Sequence, residues 1–99
     1  MSARDEDVQK IVEEGLGSPS RLRILRILTS GEEQSQTKYG LERKTGLKPV
    51  DVRRHLKVLV ETGWVKEHDY EPPFYTLNLD NPKAKLLVDF FKKIGYLAP

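Results

Sequence analysis

The sequence contains no cysteine, which excludes a disulfide framework, a thiolate zinc site and thiol redox chemistry. Its two histidines, His55 and His68, are too few for a histidine-based metal centre. No apolar run approaches the roughly 18 to 20 residues that a membrane-spanning helix needs. Residues 3 to 7 (ARDED) are polar and acidic where a secretory leader would be apolar, so no leader is expected. A large excess of one charge is also missing. The 99 residues carry 17 Lys and Arg against 15 Asp and Glu, a formal +2 that does not by itself point to nucleic acid. What is present, 37% hydrophobic and 32% charged residues, describes one surface-heavy globular domain over residues 1–99.

The charge is unevenly placed. From Lys38 to Lys66, eight cations (Lys38, Arg43, Lys44, Lys48, Arg53, Arg54, Lys57 and Lys66) face only Glu42, Asp51 and Glu61, a local +5. Residues 67 to 80 hold Glu67, Asp69, Glu71 and Asp80 and no Lys or Arg, a local −4. Basic density confined to about thirty residues is a footprint that nucleic-acid-binding proteins share with ordinary solvated helix faces.

Apolar periodicity divides the chain into elements. Val8, Ile11, Val12 and Leu16 recur at helical spacing and predict a helix over residues 5–15, stopped by Gly15 and Gly17. Ser18 and Pro19 form an N-cap and first-position pair for a second helix over 19–29, ended by Ser30 and Gly31. Residues 32–36 read as a loop or a very short strand. A third helix is expected over 37–44, with Tyr39 and Leu41 pointing inward. Gly46 supplies a left-handed turn and Leu47 fills the corner. Pro49 opens a fourth helix to residue 62, closed by Gly63, with Val52, Leu56, Leu59 and Val60 as its core stripe.

The period then changes from 3.6 to about 2 over residues 64–70 and 74–79, a hairpin interrupted by Pro72 and Pro73. Asn81 and Pro82 start a last helix to about residue 94, with a wide band of Leu86, Leu87, Phe90, Phe91 and Ile94. The expected fold is therefore mainly α with a small β-hairpin. It is a winged helix-turn-helix core over 18–80 between an N-terminal flanking helix (1–17) and a C-terminal one (81–99).

Two stretches carry a family likeness. LGSPSRLRILRIL (Leu16 to Leu28) and TGLKPVDVRRHLKVLVETGWV (Thr45 to Val65) resemble arsenic-repressor-like (ArsR) regulators and related archaeal winged-helix proteins, with the His-Leu-x-x-Leu core at His55, Leu56 and Leu59. The likeness spans roughly Leu16 to Leu79. It implies a homodimeric regulator that lays the helix starting at Pro49 into the major groove of double-stranded DNA. The chemistry of the residues agrees, because an α-helix fits that groove and its N-terminal side chains reach base edges. Arg53 and Arg54 are the candidates for base or adjacent phosphate contact, and Lys48 and Lys57 for phosphate. Val50 suits a thymine methyl and Asp51 a cytosine amino group, while Lys38, Arg43 and Lys44 flank the helix on the backbone. Lys66 and His68 are the wing's candidates, although a wing with Glu67, Asp69 and Glu71 near its tip repels phosphates.

His55, Trp64 and Tyr39 read as core residues, and Arg21, Arg23 and Arg26 as a solvated face. The flanking helices offer Val8, Ile11 and Val12 with Leu86, Phe90 and Ile94 for a dimer interface. The resembling family often senses metals through cysteines or histidine–carboxylate sets, which this chain lacks. No metal, cofactor or catalytic residue is expected. The leading reading is a cytoplasmic, nucleoid-associated, sequence-specific DNA-binding regulator. A weakly specific DNA-organising protein and a winged-helix protein-interaction module are the other two.

Overall fold

The computed structural model describes residues 3–30 and 35–97 and contains five helices and three strands. In chain order they are α1 (Ala3–Leu16), α2 (Pro19–Thr29), β1 (Ser35–Thr37), α3 (Lys38–Thr45), α4 (Pro49–Glu61), β2 (Val65–His68), β3 (Phe74–Leu77) and α5 (Pro82–Lys93). The expectations for Gly31 and for residues 32–34 lie outside the described residues.

Short-range chemistry sets the helix boundaries. The Ser18 side chain accepts from the Arg21 amide at 3.4 Å, Thr37 from Gly40 at 3.1 Å and Asn81 from Lys83 at 3.1 Å. A side-chain cap of this kind is worth about 1 kcal/mol. At the other end of α3, Gly46 adopts φ 74° and its amide returns to the Glu42 carbonyl. α4 closes with a paired turn in which the Trp64 amide reaches Leu59 O at 3.0 Å and the Gly63 amide reaches Val60 O at 3.2 Å. The Gly63 carbonyl then accepts from both Asn78 and Asn81 at 3.1 Å, which ties the start of the hairpin to the start of α5.

β3 is the central strand of an antiparallel sheet ordered β1-β3-β2. The wing is thus part of three strands and not a lone hairpin. Ser35–Thr37 is polar and only three residues long, so it has no alternation of its own to read, yet it pairs Gln36 with Tyr75. Pairing in the hairpin runs from Val65↔Leu77 to His68↔Phe74, and the connection holds a cis Glu71–Pro72 bond.

The core joins Ile24, Leu25 and Leu28 of α2, Leu41 of α3, Val52, Leu56 and Leu59 of α4, Trp64, Val65, Tyr75, Leu77, and Ala84, Leu87 and Phe91 of α5. Each fully buried leucine or isoleucine contributes on the order of 1.5–3 kcal/mol.

Several inward expectations are corrected. Tyr39 is 67% exposed, because it lies two residues, or about 200°, around α3 from the buried Leu41. Val60 sits on the outer edge of α4, and His55 takes its place in the buried stripe. Leu79 falls beyond the end of β3 and is exposed. Gly15 does not stop α1, which continues to Leu16. Instead it lets the helix lie against the indole, since a β-carbon there would come within 2.1 Å of Trp64 Nε1. The same indole donates to the Ile11 carbonyl at 2.9 Å, fastening α1 to the core.

Candidate nucleic-acid interface

α4 has two unlike faces. Val52, His55, Leu56 and Leu59 are buried, whereas Val50, Arg53, Arg54 and Lys57 are exposed together on the other side. This division follows from the sequence spacing alone, since 50, 53, 54 and 57 are neighbours at three- and four-residue steps. Pro49 at the first position and the turn from Gly46 to Lys48 fix the direction in which that face emerges. The Lys48 carbonyl receives the Asp51 and Val52 amides at 3.0 Å, leaving its side chain exposed at the helix entrance.

A groove of about 300 Å³ runs along α4 between the start of α3 and the sheet. It brings together Lys38, Arg53 and Lys57 with Val60, Glu67 and Tyr75. The Tyr75 hydroxyl donates to Glu67 Oε1 at 2.6 Å, so this carboxylate is held facing the cations. Burial, then the bond to Glu67 and the charge of Glu67, push the Tyr75 phenol well above its ordinary range, so it stays a neutral donor. Arg54 lies outside the groove and pairs with Asp51 at 3.3 Å on the exposed helix surface. A bridge this exposed contributes roughly 0–1 kcal/mol and exchanges readily for another anion. Arg43 lies over the Tyr39 ring, 5.8 Å from its centroid, in the last turn of α3 alongside Lys44.

The wing candidates are placed apart from this cluster. Strand alternation turns Lys66 and His68 onto the sheet face opposite Glu67 and Tyr75. There Lys66 pairs with Asp80 at 3.0 Å, and His68 contacts Thr76 Oγ1 at 2.8 Å and stacks on Phe74. The Lys66 ammonium holds the Asp80 carboxyl below its ordinary range.

Behind α4, two of the three arginines read as a solvated face are anchored. Arg21 donates through Nε to His55 Nδ1 at 3.1 Å and through a second nitrogen to the Glu14 carbonyl, joining α1, α2 and α4. Arg26 donates to the Tyr96 carbonyl at 2.7 Å and lies over its ring. Arg23 is exposed. The signal for Arg21 was the buried histidine itself, because an imidazole nitrogen facing the interior requires a partner. Burial first, then the charges of Arg21 and Arg54, lower the pKa of His55, with Asp51 opposing.

Three helices, a hairpin after the second helix of the turn that pairs with a short strand before its first, and a basic face on that second helix define a winged helix-turn-helix domain. Residues 18–67, just over half of the chain, match the family model described as bacterial regulatory protein, arsR family. The chain belongs to that family of DNA-binding transcription regulators. Among solved structures it is similar to the transcriptional repressor BigR from Xylella fastidiosa, with 26% identity, 100% of both chains covered and a TM-score of 0.73. It is similar also to HlyU from Vibrio cholerae, at 19% identity over 95% of this chain and 97% of that one, with a TM-score of 0.77. A third similar structure is the homodimeric winged helix-turn-helix DNA-binding domain Mb0332 from Mycobacterium bovis, at 17% identity, 96% and 87% coverage and a TM-score of 0.75. Comparison with curated protein sequences gave no match. Among the described residues, no helix is long and apolar enough to cross a membrane.

Proposed function

We propose that this chain is a homodimeric, sequence-specific regulator of transcription that lays α4 in the major groove of double-stranded DNA. The observation that carries the reading is the shared exposed face of Val50, Arg53, Arg54 and Lys57, backed by a helix face that is entirely core. Arg53 and Arg54 read base edges or the phosphates beside them, and Lys48, Lys57, Lys38, Arg43 and Lys44 hold the backbone. Asp51 reaches a cytosine amino group once Arg54 turns to the DNA. Lys66 and His68, on the far face of the sheet, take at most a peripheral part.

The dimer forms through α1 and α5. Val8 and Val12 on α1, Leu86 and Phe90 on α5, and Ile94 at its C-cap are large apolar residues left exposed, with Leu86 at 70%. Ile11 is turned partly into its own core and adds less. Mb0332, a similar fold, is homodimeric, which supports a dimer. Two copies related by a twofold axis read half-sites about one helical turn, roughly 34–36 Å, apart. The protein acts as one domain, in the cytoplasm on the nucleoid, without a metal or a catalytic step.

Selection of bound duplexes from a random library tests this directly. The expected outcome is a pseudo-palindromic site bound about 10³-fold or more above unrelated duplexes. Equal binding of all duplexes would identify a DNA-organising protein instead, and no binding at low salt an interaction module. Light scattering that finds a monomer at micromolar concentration would remove the dimer.

A further inference from the structure

A second and larger groove, of about 460 Å³, lies between the sheet and α5, on the side away from Arg53 and Lys57. Its floor is apolar, with Leu28 from α2, Leu77 from β3 and Val88 from α5. Polar groups line its rim in two states of engagement. On the sheet side Lys66 is matched by Asp80 at 3.0 Å, and His68 by Thr76 at 2.8 Å. On the helix side Lys92 has no carboxylate partner among the described residues, because Asp89, the acid nearest on α5, pairs with Lys93 at 3.0 Å. Two lysines against one carboxylate leave the groove with a net positive charge and one unmatched ammonium.

The groove also lies clear of the proposed dimer face. Ala84, Leu87 and Phe91 form the buried ridge of α5. Helical periodicity places Leu86, Phe90 and Ile94 on one flank of that ridge, and Val88 and Lys92 on the other. A twofold interface through the first flank leaves the second open.

We propose that this groove binds a small organic monocarboxylate, its apolar body on Leu28, Leu77 and Val88 and its carboxylate paired with Lys92. The volume falls in the range of small-molecule sites, which combine apolar walls with a few directed polar groups. A charge-assisted bond to an ammonium favours a carboxylate over a neutral head group. A cationic amphiphile meets a like charge, and a multiply charged anion finds a floor that cannot solvate it.

Amide NMR titration of the full chain with hexanoate, hexanol and hexylamine tests the assignment without DNA, so it is independent of the DNA-binding reading. Hexanoate should shift the amides of Thr76, Leu77 and Val88 saturably, with a Kd on the order of 1 mM. Hexanol should bind about tenfold more weakly, and hexylamine should give no saturable shift. Lys92→Gln, at an exposed position, should weaken hexanoate about tenfold and leave hexanol unchanged. The proposal is overturned if hexanoate gives no saturable shift by about 20 mM. Equal binding of all three probes, or hexanoate binding indifferent to Lys92→Gln, overturns it as well.

Discussion

α4 and the stretch of residues 67–80 that follows it carry opposite charge and meet in one groove. The helix presents Arg53, Arg54 and Lys57 to solvent, while the stretch from Glu67 to Asp80 contains four carboxylates and no lysine or arginine. The two regions meet where Glu67, held by Tyr75, faces the groove lined by Lys38, Arg53 and Lys57. Phosphate attraction is indifferent to sequence and supplies most non-specific affinity. A fixed carboxylate beside the cations subtracts from that term on every duplex alike, whereas directed arginine contacts to bases are retained only on the correct one. On the proposed reading Glu67 would therefore lower affinity for every duplex by a similar factor and leave any sequence preference to the arginines, and the whole-chain charge of +2 conceals the pairing.

Removing the helix side of this contrast has the largest effect. Replacing Arg53 and Arg54 together with alanine should lower affinity for the selected site by about a hundredfold or more, since each good base contact is worth about 1–3 kcal/mol. Both side chains are exposed and leave the core stripe intact, so the helical circular dichroism should not change. Retained affinity in the folded double variant would move the reading face elsewhere.

Lys57→Ala and Lys38→Ala act on phosphate and should show a different signature. Each should weaken all duplexes by a similar factor and reduce the slope of log K against log salt by about 1. A change confined to the selected site would instead make these lysines base readers.

Glu67→Gln tests the opposing side with a smaller effect of opposite sign. The amide can still accept from the Tyr75 hydroxyl, so the strand pairing stays in place while the charge is lost. Affinity for unrelated duplexes should rise severalfold, on the scale of about 1 kcal/mol for one charge near a phosphate at high dielectric. Because the term is common to every duplex, affinity for the selected site should rise by a similar factor and the preference should stay as it is. Unchanged binding to all duplexes would show that the carboxylate does not act on the phosphate contacts.

The α4 face was legible because helical spacing fixes which residues share it, whatever the rest of the fold does. The caps at Ser18 and Asn81 were legible for a similar local reason. Three things were not. The polar stretch 32–36 could be read only as a loop or a very short strand, and what makes Ser35–Thr37 a strand is the edge of β3, a partner far along the chain. Tyr39 and Leu41 are both apolar enough for a core, and only tertiary packing decides that Leu41 takes the inner position. Lys66 and His68 carry the right chemistry for a wing, but the sheet register turns them to the face where Asp80 and Thr76 wait.

His55 gives the smallest expected effect and tests how α4 is held from behind. Its Nδ1 accepts from Arg21, so the folded state requires the neutral ring. Burial and the Arg21 and Arg54 charges lower its pKa below the 6.5 of an unperturbed histidine, with Asp51 acting against them. Between the lowered folded value and 6.5 the unfolded chain binds more protons, so stability rises with pH across that window. The contribution is complete above about pH 6.5 and declines as the solution is acidified below it. Urea melts of the wild type and His55→Gln, from about pH 7.5 to about pH 5.5, isolate this term from carboxylate titrations common to both. Gln keeps an acceptor for Arg21 and removes the titrating ring. The wild type should lose more stability on acidification than the variant, and parallel pH profiles would place the proton's effect outside the Arg21–His55 contact.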